Sequence, residues 1–377
     1  SSRLSCGLCD VEGVRSQQAE VRRKPEGFAG FRFLTTRCGR TIIRFMDDTQ
    51  RAMRARLDAV FGGRVEERVA LTPLTTFRTG GPADWVLETS DPEDLVAAVR
   101  VTRELAVPLT VLGGGSNVLV CDGGVRGLVL RMRHGRIATA GPTGVRADGG
   151  VTINGLVRWT IQRGLAGLER WAGTPGTVGG AIRGNAHFDG GLLGDIVTAV
   201  GLVDREGTVS RAARAGMRFG YDECRVQHTG ELVLWAEFLV APSERGALRT
   251  RARESLAFRK RTQPLDHASA GCVFQNPRPE DGPLPEDVPR SAGALVERAG
   301  MKGRRVGGAV VSAVHGNFIV NEGSATARDV RRLIELCRTA VLERFGVALR
   351  EELVYLGEWP TESGSRRSQS GCGNEAG

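Results

Sequence analysis

The chain has 377 residues, of which 41% are hydrophobic and 25% are charged, and these proportions are typical of a soluble globular protein with two or three domains. No apolar run reaches the ~18 residues of a membrane-spanning helix, and no secretory signal is evident, so we expect a cytoplasmic protein without a membrane partner. The net charge is +9, but aromatic residues make up only 5% and do not alternate with basic runs, which argues against nucleic-acid binding.

The eight cysteines are scattered along the chain, which favours reduced thiols over a disulfide framework. Cys6 and Cys9 form a lone C-x-x-C motif. Zinc sites usually need a second pair of cysteine or histidine ligands at a suitable spacing, and none follows. No metal site is therefore predicted.

Both ends of the chain differ in composition from its middle. Residues 1–45 show no sustained apolar period, and we expect residues 1–52 to form an arm that is disordered or lies upstream of the true start. The first clear helical pattern, "DDTQRAMRARLDAVFG", begins at Asp47. Residues 360–377 are rich in serine, glycine and polar residues and predict a disordered tail.

The middle of the chain alternates between predicted strands and helices. "DWVLET" predicts a strand, and the next segment predicts a helix that begins after Ser90 or Asp91, with Pro92 in its first turn. "LTVLGGGSNVLV" predicts a strand, a glycine-rich turn and a second strand, and "GLVLRM" predicts another strand. A second unit of this kind begins near "VTINGLVRWTIQRGL". This alternation predicts an α/β or α+β fold.

A third region begins near Leu248 with a predicted helix. "GNFIVN" predicts a strand, residues 324–346 predict a helix capped by Ser324, and "VALREELVYLG" predicts a last strand. The apolar residues of the long helix fall on one face. Cys337 lies among them and is predicted to be a core residue.

Two segments are rich in glycine. "GGGSN" at residues 113–117 follows a strand, and glycines let the backbone approach a ligand while successive N–H groups bind an anion. Val118 stands where a dinucleotide-binding fingerprint needs glycine, so this segment alone fits a tight turn as well as a phosphate site. Residues 173–191 form a long uncharged segment with glycine and threonine. Side by side, the two segments would suit a flat heteroaromatic ring that carries a diphosphate.

Six segments occur in the order found in UDP-N-acetylenolpyruvoylglucosamine reductases, the bacterial flavoenzymes of peptidoglycan precursor synthesis. They read "LTTFRTGGPADW", "VLGGGSNVLV", "GTPGTVGGAIRGNA", "SAGCVFQNP", "AGALVERAGMKGRRVGGAVVSAVHGNFIVNEG" and "REELVYLG", and the resemblance covers roughly residues 66–357. The chain resembles the shorter type II form, because residues 226–260 leave no room for an inserted tyrosine-bearing loop.

The resemblance implies an α+β fold with FAD as cofactor and NADPH as cosubstrate. It implies a two-subdomain FAD-binding fold of the vanillyl-alcohol-oxidase type at residues 53–245, with an internal boundary near residues 135–150. An α+β substrate-binding domain is implied at residues 246–359. The residues implied to bind FAD are Thr76, Arg78, Gly113, Gly114, Gly115, Ser116, Asn117, Val118, Leu119, Gly173, Thr174, Pro175, Gly176, Thr177, Gly179, Gly180 and Ala181.

The implied reaction reduces the enolpyruvyl ether of a UDP-sugar to a lactyl ether, which requires a proton donor and stabilisation of the developing negative charge. The family's donor is usually the serine of A-G-S-x-F-x-N-P, and Cys272 occupies that position. A thiol is neutral at pH 7 and can donate a proton, whereas a nucleophilic or packing role is the alternative. Glu352 matches the family's late catalytic glutamate, although the adjacent Glu351 leaves the register open by one residue.

One position departs from the family pattern. The family usually has Tyr-Arg-x-Ser with the arginine at the substrate carboxylate, but "FGYDECRVQ" places Asp222 there. An acid cannot neutralise a carboxylate. We therefore expect Arg225 to take the catalytic role of the guanidinium, with Arg183 as the other candidate.

The resemblance also implies residues that contact the UDP-sugar. Lys260 and Arg261 offer positive charge for a diphosphate, and Asn276 offers an amide, although a solvated helix end is the alternative for the basic pair. Asn185 and Tyr221, with Arg183, complete the expected substrate contacts.

The function that we expect is NADPH-dependent reduction of UDP-N-acetylenolpyruvoylglucosamine through FAD, by a monomer or weak oligomer. An FAD-dependent oxidase of the same fold with another substrate is one alternative. A non-catalytic flavin-binding protein is the other, which Asp222 keeps open. The sequence leaves the preference for NADPH over NADH undetermined.

Overall fold

A computed structural model of the chain describes residues 40–284 and 288–359, with side chains from Arg51 onward. The chain divides into two units, residues 1–50 and 51–377, and the described part of the first is helical backbone. Helix α1 (Arg40–Phe61) begins before the predicted start at Asp47 and includes the last residues of the predicted arm. The rest of the predicted arm and the predicted tail lie outside the described residues.

The first subdomain is built on a mixed four-stranded sheet. Its elements after α1 are β1 (Glu66–Ala70), β2 (Pro82–Thr89), α2 (Pro92–Glu104), β3 (Leu109–Leu112), β4 (Val118–Val120) and β5 (Val125–Met132). The sheet order is β1-β2-β5-β3, with β1 antiparallel to β2 and the other neighbours parallel. The Asp91 carboxylate accepts a hydrogen bond from Glu93 N at 3.0 Å and caps α2. Of the two residues predicted for this cap, Ser90 and Asp91, the structure therefore uses Asp91.

The second subdomain is built on an antiparallel five-stranded sheet. Its elements are β6 (Ile137–Thr139), β7 (Gly144–Asp148), α3 (Ile153–Arg163), β8 (Leu165–Ala166), α4 (Val178–Arg183), β9 (His187–Phe188), β10 (Gly191–Leu192), β11 (Val197–Val203), β12 (Val209–Ala213), α5 (Arg214–Met217), α6 (Val226–Thr229), β13 (Leu232–Leu239), β14 (Ala241–Pro242) and α7 (Arg245–Thr262). The sheet order is β12-β11-β13-β7-β6. Two further pairs, β8 with β14 and β9 with β10, form small ribbons.

Helix α7 packs on the second subdomain, although the sequence analysis placed it in the substrate-binding domain. Leu248 is fully buried in the same apolar core as Leu156 and Phe238 of this subdomain. Ser255 Oγ also donates to Arg170 O at 2.6 Å. The boundary therefore lies after α7 rather than before it, which corrects the predicted boundary between residues 245 and 246.

The C-terminal domain combines a three-stranded antiparallel sheet with two helices. Its elements are α8 (Ala292–Arg298), β15 (Arg305–Val306), β16 (Ala309–Val311), β17 (Ile319–Asn321), α9 (Ala327–Phe345) and β18 (Val354–Leu356). The sheet order is β15-β16-β17, and β18 instead pairs in parallel with β4 of the first subdomain. Cys337 is 1% exposed on the apolar face of α9, which confirms its predicted core position.

Within the described residues, no helix is both long and apolar enough to cross a membrane. The same residues contain no cluster of histidine, cysteine and acidic side chains that could hold a metal ion. The C-x-x-C motif lies outside them.

Asp122, which follows β4, completes the N-terminal cap of α9 from another domain. Its carboxylate accepts hydrogen bonds from Ala327 N at 2.8 Å and Arg328 N at 3.0 Å. Thr326 Oγ1 accepts from Asp329 N at 3.0 Å, and the Asp329 carboxylate accepts from Thr326 N. The helix therefore begins after Thr326 and not after the predicted Ser324. The added carboxylate satisfies free N–H groups and also interacts favourably with the helix dipole.

We expect Asp122→Ala to lower the melting temperature of the protein by about 2–4 °C, because a lost cap costs about 1 kcal/mol. Asp122→Asn should lower it less, since an amide of the same shape keeps one acceptor oxygen. Thermal unfolding followed by circular dichroism measures both. A melting temperature for Asp122→Ala equal to that of the parent would show that this contact between the domains contributes nothing.

Candidate active site

The two glycine-rich loops touch each other through their backbones. A Cβ atom at Gly113 would lie 2.4 Å from Thr177 Oγ1, and one at Gly114 would lie 2.6 Å from Gly176 Cα. Neither distance can accommodate a side chain. The loops therefore lie side by side, as predicted, and glycine is required for the approach.

The first loop also leaves donors free. Gly115 has φ +63°, and its carbonyl accepts hydrogen bonds from Thr76 N at 3.0 Å and Thr76 Oγ1 at 3.2 Å. In the described part of the chain, nothing accepts a hydrogen bond from the backbone N–H groups of residues 114–117. A run of free N–H groups in a glycine-rich turn fits an anion such as the diphosphate of FAD.

Cys272 lies on an extended segment that has partners on both sides. Cys272 forms a β-bridge with Phe318, and Val273 N donates to Asn317 O at 2.9 Å. On the other side, Glu352 N donates to Val273 O at 2.8 Å. The predicted proton donor and the predicted catalytic glutamate are thus on adjacent segments.

The same glutamate is tied to the first glycine loop. Asn117 Nδ2 donates to Glu352 O at 3.2 Å, and Val354 N donates to Asn117 O at 3.1 Å. The pairing of β18 with β4 continues this contact. The free N–H groups, the thiol and Glu352 therefore belong to one site.

Glu351 is held elsewhere, which answers the question of register. Its carboxylate forms ion pairs with Arg331 at 2.7 Å and Arg338 at 2.9 Å, and it accepts a hydrogen bond from the Tyr355 hydroxyl. These contacts give it a structural role. Glu352 is the acid that acts on the electrostatics of Cys272.

The site favours protonated acids. Burial raises the pKa of the Cys272 thiol well above its ordinary value, and the charges of Glu352 and Asp222 raise it further. Burial also raises the pKa of Glu352, to about 8. The charge of Asp222 adds to this increase, whereas His187 lowers the pKa. Burial and the same two carboxylates raise the pKa of Tyr221 to about 12. At neutral pH the thiol and Glu352 can both supply a proton.

Arg259 is a buried cation beside this cluster that the sequence analysis missed. It is 5% exposed, its guanidinium carbon lies 3.5 Å from the centroid of the Phe188 ring, and its Nη2 donates to Thr174 Oγ1 at 2.8 Å. Burial lowers its pKa to about 10, which the charge of Cys272 opposes. Among the described residues it has no carboxylate partner, and its Nε has no acceptor. A bound anion would satisfy it.

The predicted basic pair points outward from the same helix. Lys260 and Arg261 are exposed in the last turn of α7. Leu248 and Arg259 are its buried residues, and eleven positions correspond to about three helical turns. The face set by Leu248 is the signal that would have selected Arg259.

Arg225 and Arg183, the two arginines predicted to bind the substrate carboxylate, make no contact with Cys272 or Glu352 among the hydrogen bonds of the described residues. Arg225 forms two hydrogen bonds with the buried Glu231 carboxylate, at 2.8 and 2.7 Å. Arg183 is exposed, and its carbonyl accepts from Cys224 and Gln227. The contacts of Arg225 indicate a structural role and correct the expectation that it is catalytic.

The other predicted substrate contacts divide into two kinds. The Asn185 side chain is fully buried, with Nδ2 donating to Gly220 O at 2.6 Å and Oδ1 accepting from Gly194 N at 2.8 Å. Both ends of its amide are used, so its role is to join two loops rather than to bind substrate. In contrast, Asn276 is exposed and donates to the Tyr221 hydroxyl at 3.2 Å, on the same side as the cluster.

A separate cleft of about 650 Å³ opens near the predicted cofactor residue Arg78, which is exposed. The cleft is lined by Thr72, Arg78, Asp266, His267, Ala268, Asn321, Glu322 and Gly323. It is lined by residues of the first subdomain and of the C-terminal domain, and Cys272 is not among them.

Two domain families match this chain. Residues 83–213 match the FAD binding domain, and residues 263–356 match the C-terminal domain of UDP-N-acetylenolpyruvoylglucosamine reductase. The second match begins directly after α7, in agreement with the domain boundary described above.

Similar proteins extend over most of the chain. UDP-N-acetylenolpyruvoylglucosamine reductase 2 from Symbiobacterium thermophilum is 41% identical over 300 residues, which cover 79% of this chain and 94% of that protein. The reductase from Anaeromyxobacter sp. strain Fw109-5 is 42% identical over 311 residues, which cover 82% of this chain and 94% of that protein. The crystal structure of the reductase MurB from Thermus caldophilus matches with a TM-score of 0.65 and 34% identity, covering 78% of this chain and 99% of that one.

These similarities confirm the predicted α+β architecture of an FAD-binding fold followed by a separate C-terminal domain. The relatives are covered almost completely, and both glycine loops, Cys272 and Glu352 fall within the two matched domains. The chain therefore belongs to the UDP-N-acetylenolpyruvoylglucosamine reductase family and is an FAD-dependent oxidoreductase.

Proposed function

We propose that the protein reduces UDP-N-acetylenolpyruvoylglucosamine to UDP-N-acetylmuramate in the cytoplasm, with NADPH as the reductant. The observation that carries this proposal is the placement of a neutral thiol and a neutral carboxyl group beside free backbone donors. Cys272 and Glu352 lie on paired segments, and Asn117 of the first glycine loop bonds to Glu352. This arrangement fits proton donation next to a bound flavin.

The cofactor-binding residues are proposed from the loops that meet at the site. The N–H groups of residues 114–117 would hold the diphosphate of FAD, near Thr76 and Arg78. Residues 173–181 would line the ring, since their Gly176 and Thr177 contact the first loop. FAD held there would supply the hydride chemistry that links NADPH to the vinyl carbon of the substrate, while the residues of the two loops would position it.

Cys272 would complete the reduction by protonating the carbon that bears the carboxylate. Its high pKa keeps the proton on sulfur until negative charge develops on that carbon. The nearby carboxyl group of Glu352, with a pKa of about 8, would then return a proton to the thiolate. The C=C bond thereby gains one hydride and one proton, and the thiol is restored.

Cations around the cluster would bind the anionic substrate. Arg259 is buried and lacks a carboxylate partner, so we propose it in place of Arg225 as the guanidinium that balances negative charge in the site. Lys260 and Arg261 directly follow Arg259 but are exposed, and they remain proposals for the diphosphate, while Tyr221 and Asn276 remain proposals for the sugar.

We expect the purified protein to be yellow, to lose its flavin absorbance when NADPH is added without oxygen, and to regain it when the enolpyruvyl substrate follows. Anaerobic visible spectra with stepwise additions measure this. Rapid recovery with oxygen but none with substrate would identify an oxidase of the same fold. A colourless protein that takes up no FAD would contradict the proposal entirely.

Cys272→Ala should leave reduction of the flavin by NADPH intact but slow its reoxidation by substrate by about 10²–10⁴-fold, the usual contribution of a general acid. Cys272→Ser should recover much of this rate, because a hydroxyl of similar size also carries a proton.

Stopped-flow absorbance measures the two half-reactions separately. Cys121→Ala is the matched control, because this buried thiol lies outside the cluster and donates to Glu358 O. Reoxidation of Cys272→Ala at the parent rate would reduce Cys272 to a packing residue.

We expect steady-state turnover at saturating NADPH and substrate to slow as the pH rises through about 8. The raised pKa of Glu352 leaves its carboxyl group protonated below about 8 and ionised above it, and only the protonated form can return a proton to Cys272 before the next turnover. Glu352→Gln should lower the turnover rate and remove this dependence. Steady-state rates of NADPH oxidation between pH 6 and 9 are the measurement, with the range set by the ~8 midpoint.

Glu351→Gln is the control for this pH profile. It should keep the dependence on pH but lower stability, because it weakens the ion pairs with Arg331 and Arg338. Loss of the dependence in Glu351→Gln, with retention in Glu352→Gln, would reverse the assignment of the two acids.

A further inference from the structure

A histidine–carboxylate pair borders the cluster and is not used by the mechanism above. His187 Nδ1 lies 2.9 Å from Asp222 Oδ1. The Asp222 side chain is 4% exposed and that of His187 is 31% exposed, so the imidazole is the accessible end of the pair. The Tyr221 ring lies beside it, with ring centroids 4.7 Å apart.

The backbone around the pair is fixed by a buried amide. Asn185 bonds to Gly220 O on one side and to Gly194 N on the other, which joins the loop of His187 to the loop of Asp222. Asp222 itself has φ +55°, a conformation that side chains other than those of glycine, asparagine and aspartate seldom adopt. This conformation suits aspartate better than most residue types, and the buried amide holds the loop that carries it.

The free edge of His187 faces no acceptor. Nδ1 is occupied by Asp222, and within the described residues nothing accepts a hydrogen bond from Nε2. Asp222 Oδ2 is likewise buried without a partner. A pair with one unused donor at its accessible end can bind an anion there without breaking any contact.

The charges of the site support a cationic role. Asp222 contributes −1, Arg259 contributes +1, and the raised pKa values keep Glu352 and Cys272 neutral at pH 7. Without a charge on His187 the sum is zero, and a carboxylate placed there would face the charge of Asp222. With protonated His187 the sum is +1, which one carboxylate would neutralise.

The electrostatics of His187 agree with that sum. The hydrogen bond to Asp222 raises the pKa of His187 above its ordinary value, with a smaller increase from Glu352, whereas burial and Arg259 lower it. Tyr221, with its pKa of about 12, stays neutral. Protonation of His187 therefore persists to a higher pH than for a free histidine and is lost as the pH rises.

We propose that His187, held by Asp222, is a substrate-binding cation whose Nε2–H donates to the carboxylate of the enolpyruvyl group. The inference rests on the proposed reductase function. It gives Asp222, which stands where the family usually has arginine, the role of fixing another cation at the site.

Three variants test this assignment through the substrate concentration that half-saturates flavin reoxidation. His187→Gln removes the charge, so we expect that concentration to rise about 10-fold or more, as for loss of a hydrogen bond to a charged group. The rate at saturation should change less. His228→Gln is the matched control, because His228 forms an exposed pair with Glu223 at 3.1 Å and should behave as the parent.

Asp222→Asn separates charge from structure. At a pH high enough for the parent to have lost the His187 proton, this variant carries one negative charge fewer than the parent, so it should half-saturate at a lower substrate concentration than the parent at that pH. A purely structural pair would instead make Asp222→Asn and His187→Gln equally weak at every pH. That result, or a His187→Gln variant equal to His228→Gln, would overturn the proposal.

A readout without turnover distinguishes this proposal from the proposed function. Proton NMR of the imidazole groups, with the His187 signal assigned by its loss in His187→Gln, should give a higher pKa in the parent than in Asp222→Asn. Equal pKa values for His187 in the parent and in Asp222→Asn would overturn the proposal that Asp222 stabilises His187 as a cation. A shifted signal in a protein that does not reduce the enolpyruvyl substrate would instead overturn the reductase function while the cation remains.

Discussion

The extended segment at residues 272–274 is the constraint on which the site depends. It is bridged to Phe318 on one side and to Glu351 on the other, and the chain after Glu352 continues into β18. That strand pairs with β4 of the first subdomain, beside the first glycine loop. Backbone hydrogen bonds alone therefore link the segment of Cys272 in one domain to the first glycine loop of another. Because such bonds fix the register, the alternation of side chains then places Glu352, and not Glu351, in the site.

Burial of this junction sets the chemistry of its side chains. Water is displaced by the packed segments, so ionised forms are disfavoured, and the pKa values of Cys272 and Glu352 both rise. A site that must add a proton to carbon needs acids that keep their protons at neutral pH. Desolvation raises the pKa values of these acids and so keeps them protonated. The same burial makes a lone guanidinium costly, which is why the unpaired Arg259 indicates a bound anion rather than a structural ion pair.

Local sequence patterns predicted the parts of the structure that local physics decides. The cap of α2 at Asp91 and the buried face of α9 with Cys337 follow from side-chain spacing alone. The two glycine loops were expected to meet because both lacked side chains that would obstruct a ligand. The order of six motifs then identified the fold, which no single motif could do.

Tertiary contacts decided the rest. Arg225 was expected at the substrate because it follows the altered motif. Instead its guanidinium donates two hydrogen bonds to the Glu231 carboxylate, across a turn whose geometry the sequence does not reveal. Asn185 looked like a substrate ligand, yet its amide is used by two loops that are distant in sequence. Arg259 was overlooked beside two other basic residues, because its burial depends on how α7 packs on the second subdomain.

The replacement of arginine by Asp222 is best understood as a change in the sum of several charges. A reversal of charge at a buried position costs free energy unless another group compensates it. His187 lies 2.9 Å from the new carboxylate and comes from a different loop. The pair restores neutrality locally, and Arg259 then supplies the surplus positive charge that an anionic substrate requires. The reaction requires a pocket with a net positive charge beside a neutral acid. Where a single arginine is absent, Asp222, His187 and Arg259 from three separate segments can together provide that charge.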